Sequence, residues 1–101
     1  MDLILWRHAE AEDGNDDLAR ALTRRGQQQA RRMADWLHKQ LPDNYRLLAS
    51  EAVRSQQTAA FLAKSYEILP ALNPDASVDE VLAAVGWPEC GKTIVLVGHQ
   101  P

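Results

Sequence analysis

The chain of 101 residues is 46% apolar and 25% charged, which suits one globular domain over residues 1–101 and argues against disordered or collagen-like classes. Eleven Lys and Arg face 14 Asp and Glu, and the formal charge of −3 makes nucleic acid an unfavourable partner. Cys90 alone cannot form an internal disulfide or a Cys-rich zinc site, and no apolar run approaches the ~18 residues of a membrane span, so a cytoplasmic protein with no membrane partner is expected.

Leu3-Ile-Leu-Trp6 is a continuous apolar run of strand length, of the kind found in parallel sheets covered on both faces. It stops at Arg7 and His8. The stretch Glu10–Asp17 is acidic and turn-rich and reads as a solvated, mobile loop. From Thr23 to Leu41, Ala30, Met33, Ala34, Leu37 and Leu41 recur at three- and four-residue steps, with Thr23 as N-cap and Pro42 beyond the end. Arg24, Arg25, Arg31 and Arg32 form a basic, solvated face whose sharper alternative role is docking of an acidic partner protein, and His38 on the polar side reads as structural.

Arg46–Ala49 reads as a second strand, followed by a helix from about Glu51 to Lys64 with Ser50 as its cap. Glu67–Leu69 is a short third strand. Ser77-Val-Asp-Glu80 fits a capping box and opens a helix through about Val85 that Gly86 stops. Thr93–Val97, β-branched and apolar throughout, is the last strand. Strand and helix alternate, which predicts an α/β fold with a mainly parallel sheet, right-handed crossovers and helices on both faces.

In open parallel sheets the chemistry gathers beyond the carboxyl ends of the strands. Those positions hold Arg7 and His8, then Ser50 with Arg54 one turn on, then Gly98 and His99. Two guanidinium forks, together with Ser50 at a helix N-terminus, suit a phosphoryl group. A histidine among cations stays neutral more readily and can attack phosphorus, while a second histidine donates to the phosphoryl oxygens.

Four segments carry a resemblance over essentially the whole chain: Leu5-Trp-Arg-His-Ala-Glu10, Leu22-Thr-Arg-Arg-Gly26, Ser50-Glu-Ala-Val-Arg-Ser-Gln-Gln-Thr-Ala59 and Val97-Gly-His-Gln-Pro101. In this order the sequence resembles the histidine phosphatase superfamily, with its phosphoglycerate-mutase-like three-layer fold, and within it the small phosphohistidine phosphatases. The resemblance implies that His8 is the nucleophile, that Arg7, Arg54 and His99 hold the phosphoryl group with Ser50 beside them, and that neither metal nor cofactor is needed. Ala9 stands where the broader family has Gly. No acid maps securely onto the general acid of larger members; Glu10, Glu12 and Asp75 are the nearby acids.

That gap bears on substrate. An alkoxide leaves badly without a proton, whereas an imidazole, with a pKa near ~6.5, can leave neutral when its other nitrogen is protonated. Protein phosphohistidine is therefore the expected substrate and inorganic phosphate the product. A small chain without a sizeable insertion also leaves the rim open to a protein side chain. The resemblance further implies a domain short at its C-terminus, lacking elements that longer members place after Pro101. From that follow an under-covered Thr93 strand, self-association through it, and a rival reading as a phosphate- or phosphohistidine-binding module or an inactive fragment.

Two other patterns fail on context. Gly86–Thr93 satisfies G-x-x-x-x-G-K-[ST], but it runs from helix to strand, the reverse of a P-loop. His8-Ala-Glu10 matches half a zinc deaminase signature, whose paired cysteines the chain lacks.

Overall fold

A computed structural model describes residues 3–74, 76–86 and 92–99. Its strands are β1 (Leu3–Arg7), β2 (Tyr45–Ala49), β3 (Glu67–Ile68) and β4 (Thr93–Gly98); its α-helices are α1 (Arg24–Gln40), α2 (Val53–Leu62) and α3 (Val78–Val85). Short 3-10 turns occupy Asp17–Ala19 and Pro70–Leu72. Asp75, Cys90, Gln100, Pro101 and residues 87–91 of the P-loop-like segment lie outside the described residues.

Among the described residues the sheet order is β1-β4-β2-β3 and every strand pairing is parallel, so the expectation of a mainly parallel sheet is met. The chain steps from β1 to β2 to β3 in one direction and returns to β4 in the other. Right-handed crossovers running in opposite directions put their helices on opposite faces. Accordingly α1 and α2 pack together over Trp6, Leu47, Ala49, Val95 and Val97, while Val81 of α3 packs with Leu48, Leu72, Ile94 and Leu96 on the other side. Helices thus cover both faces in three layers.

The alternation of β4 explains its place. Ile94 and Leu96 point to one layer and Val95 and Val97 to the other, and all four are buried. The strand expected to be under-covered is therefore central and enclosed. The edge strands among the described residues are β1, which has β4 as its one strand neighbour and leaves Leu5 66% exposed, and β3, which has β2 as its one neighbour and leaves Ile68 50% exposed.

Local signals were mostly reliable. Thr23 caps α1 by accepting from the Gly26 N–H at 2.8 Å, Ser77 accepts from the Glu80 N–H at 3.1 Å, and Gly86 ends α3 with φ of 71°, a left-handed angle that glycine adopts without strain. Ser50 departs from expectation. Helix α2 begins at Val53 with Ala52 as its cap residue, so Ser50 does not cap it. Its hydroxyl is drawn into the rim instead, accepting from the Ala52 N–H at 3.3 Å and facing His99. Met33 also departs: it is exposed, because the outer side of α1 there overhangs the edge of β1 rather than the sheet. The basic residues of α1 are exposed as expected, with the Arg31 guanidinium 5.5 Å from the centre of the Phe61 ring.

Candidate active site

Register brings the strand ends together. Arg7 lies opposite Gly98, and Ala49 opposite Val97, so the next residues along, His8, His99 and Ser50, share one rim. Backbone bonds continue the ladder, from the His8 N–H to the Gly98 carbonyl at 3.2 Å and from the Ser50 N–H to the Val97 carbonyl at 3.3 Å. The two imidazoles stand with centroids 5.0 Å apart and planes tilted by 58°. Arg54, in the first turn of α2, reaches them from below the rim with its side chain 3% exposed.

The hydrogen bonds fix the tautomer of His8. Nδ1 lies 2.8 Å from the Ala9 carbonyl, which can only accept, so Nδ1 carries the hydrogen. The Nε2 lone pair is then free to accept, and Arg54 Nε donates to it at 3.3 Å. On His99, Nδ1 faces the donor Nη2 of Arg54 at 3.5 Å, and Nε2 lies 2.9 Å from Ser50 Oγ and 3.4 Å from Ser55 Oγ. This assignment leaves Nε2 of His99 as the protonated nitrogen, donating to Ser50.

Both imidazoles are held neutral. Burial lowers the pKa of His8 below 6.5, opposed by its bond to the Ala9 carbonyl and reinforced by the charges of Arg54, Arg7 and Arg20. His99 is pulled down to about 4, again by burial first, then by Arg54 and His8, with Asp17 opposing. The arrangement is thus a nucleophilic lone pair and a second neutral imidazole among guanidiniums.

Two residues of this site were missed in the sequence. Asp17 closes the acidic loop, and there the solvated-loop reading fails: its carbonyl accepts from Arg54 Nη1 and its Oδ2 from Arg54 Nη2 at 3.1 Å. That pairing, before any other cause, holds its carboxyl below the usual range although the side chain is 57% exposed. Arg20 lies 3.4 Å from Asp17 Oδ1 through Nε and lines the same cavity as Arg7 and His8. Opposite charges three apart just before Leu22-Thr23 were the available signal. Within an acidic loop, that signal does not separate a pair fixed against the site from a freely solvated one.

Of the acids considered as proton donors, Glu10 borders the cavity, but its carboxylate accepts from Thr23 Oγ1 at 3.1 Å and lies 4.0 Å from Arg25 Nε. Glu12 is exposed, and its described contact is a backbone bond to Ala21 at 2.8 Å. Among the described residues no three His, Cys, Asp or Glu side chains gather as a metal site.

The remaining motif residues hold the loops. Thr58 Oγ1 donates to the Arg54 carbonyl at 2.8 Å and accepts from the Ala9 N–H at 3.4 Å, and Gln57 Oε1 accepts from the Leu22 N–H at 2.7 Å. Helix α2 therefore supplies Arg54 and also ties down the segments on either side of the acidic loop.

The sequence pattern of the histidine phosphatase superfamily (branch 1) matches residues 3–85. The chain belongs to this superfamily. Within it, phosphohistidine phosphatase SixA of Escherichia coli (strain K12) is 36% identical over 110 aligned positions, which cover all of this chain and 68% of that protein. The structure of protein histidine phosphatase SixA complexed with tungstate superimposes with a TM-score of 0.87 at 31% identity, covering 100% of this chain and 70% of that one. A SixA-type structure from Nakamurella multipartitia gives 0.85 at 34% identity. Our chain spans 59% of the length of that structure. The histidine phosphatase fold is thus shared with these relatives, which are longer than this chain. Among the described residues no helix is long and apolar enough to cross a membrane.

Proposed function

We propose that this histidine phosphatase domain hydrolyses protein phosphohistidine through a phosphohistidine intermediate on His8, releasing inorganic phosphate. The observation that carries the reading is the Nε2 lone pair of His8, exposed by the Nδ1 bond to Ala9 and set beside His99 and Arg54. The names of the SixA relatives support the substrate class.

In the first step His8 Nε2 attacks phosphorus, a new P–N bond forms, and the P–N bond to the substrate imidazole breaks. That imidazole takes the bonding pair and leaves neutral when its other nitrogen carries a hydrogen. Water then attacks the phosphorus on His8, its proton passes to solvent, and the P–N bond returns its electron pair to Nε2. Arg7 and Arg54 offset the charge on the phosphoryl oxygens, and His99, with Ser50 accepting from its Nε2, adds a donor when the phosphoryl charge draws a proton from solvent onto its Nδ1. Asp17 is held ionised and cannot supply a proton, and the Glu10 carboxylate is engaged by Thr23, so the chemistry favours a leaving group that needs no acid. Asp75 stays a proposed alternative donor, as does Glu12. The single cysteine supports a reducing, cytoplasmic setting.

The test is incubation with a protein phosphorylated on histidine, following acid-labile phosphate. Wild type is expected to acquire label transiently and release phosphate, His8→Ala to do neither, and His99→Ala to be slowed. Stable binding of the phosphoprotein by wild type without release would favour a binding module. Turnover of small phosphate esters alone would refute the substrate class, and inertness toward all of them would favour an inactive fragment.

A further inference from the structure

We propose that Arg20 is a third anion-binding guanidinium of this site, holding the phosphoryl group together with Arg7, and that Asp17 positions it. The inference rests on the phosphatase reading above. Arg20 was not singled out by the strand ends, because it arrives from the loop between β1 and α1 and not from the sheet.

Three observations point to it. First, Arg20 borders a cavity of about 440 Å³ shared with Arg7, His8, Glu10 and Gln29. Second, its guanidinium is only partly satisfied: the buried Nε has no hydrogen-bond partner and meets Asp17 Oδ1 as an ion pair at 3.4 Å, and no side-chain hydrogen bond of Arg20 occurs among the described residues. A buried N–H that meets only a long ion pair is costly unless an anion completes it. Third, Arg54, the residue that sequence reasoning put on the phosphoryl group, turns most of its fork to protein acceptors. Its Nε goes to His8 and both Nη atoms go to Asp17. Free donors for phosphoryl oxygens must come largely from elsewhere on the rim.

Charge agrees with this. Arg7, Arg20 and Arg54, less the Asp17 carboxylate and with both histidines neutral, leave two positive charges around His8, the Glu10 carboxylate on the same cavity being offset by Arg25 at 4.0 Å. A phosphoryl group carries about −1.5 to −2 near pH 7. Without Arg20 the site would be left with a single positive charge. Asp17 reaches Arg20 through Oδ1 and Arg54 through Oδ2, so one carboxylate sets the spacing of two guanidiniums. Arg20 also depresses the pKa of both His8 and His99, which places its charge within electrostatic reach of the reacting nitrogen.

The experiment is calorimetric titration of the protein with inorganic phosphate, paired with NMR titration of the His8 and His99 ring protons. Wild type is compared with Arg20→Gln and Arg20→Lys. Loss of a charge-assisted contact should weaken phosphate binding by about ten- to a hundredfold in Arg20→Gln, with a smaller loss of about two- to tenfold in Arg20→Lys, which keeps the charge but not the fork. The His8 titration should move up toward its ordinary value in Arg20→Gln and stay near wild type in Arg20→Lys. A merely structural partner of Asp17 would leave phosphate affinity within twofold in folded variants, and that result overturns the proposal. If Arg20→Gln does not fold, unchanged affinity in Arg20→Lys overturns it equally. Wild type that binds no phosphate at all would overturn the phosphatase reading, and this inference with it.

Discussion

His8 owes its reactivity to a bond made by the next residue's backbone. The Ala9 carbonyl fixes the tautomer, so the side chain at position 9 has little to do, and Ala serves in place of the family's Gly. The pKa shift gives this nitrogen a signature in pH. The folded pKa of His8 lies below 6.5, so the attacking form predominates above 6.5 and is lost as pH falls through the lowered pKa. We predict that the acid limb of kcat/KM on a phosphohistidine protein has its midpoint below about 6.5, the ordinary imidazole value. A midpoint at or above that value would contradict the depressed pKa. At this scale the sequence showed every residue delivered by a strand end, since parallel strands leave no choice of rim. It did not show Asp17 or Arg20, whose placement depends on how one loop folds back over α2.

Helix α1 enters the fold with no space to spare. A Cβ on Gly26 would collide with the Glu10 carbonyl, so the first turn of α1 lies directly on the segment that follows His8. The Leu-Thr-x-x-Gly turn thereby acquires a physical reason: Thr23 supplies the cap, and Gly26 the close approach. We predict that Gly26→Ala destabilises the protein by about 1–3 kcal/mol, as overpacking does, measured by urea denaturation. It should also cut turnover by more than the folded fraction accounts for, because Glu10 must shift and His8 is two residues away. Full activity in the folded variant would show that the two segments are uncoupled. Helix α2 shows where element-level reading stops. A Ser before a helical run satisfies the cap rule, but the competing demand of the His99 ring for the same hydroxyl is a tertiary fact that no local pattern carries.

For the molecule as a whole, the alternation of elements was enough to reach a parallel three-layer fold, and only the identity of the exposed strand was mistaken. The expectation of an under-covered Thr93–Val97 came from the elements that longer members place after Pro101, whereas sheet order, set by the crossovers, encloses β4 and puts β1 and β3 at the edges among the described residues. Arg7 and His8 are the last residues that the β1–β4 ladder secures, and among the described residues that ladder holds β1 from one side only. Fraying of one strand would carry off the nucleophile and its neighbouring cation while leaving Arg54 and His99 seated on α2 and β4. The lifetime of the assembled site is then set by the β1–β4 ladder and not by the stability of the domain.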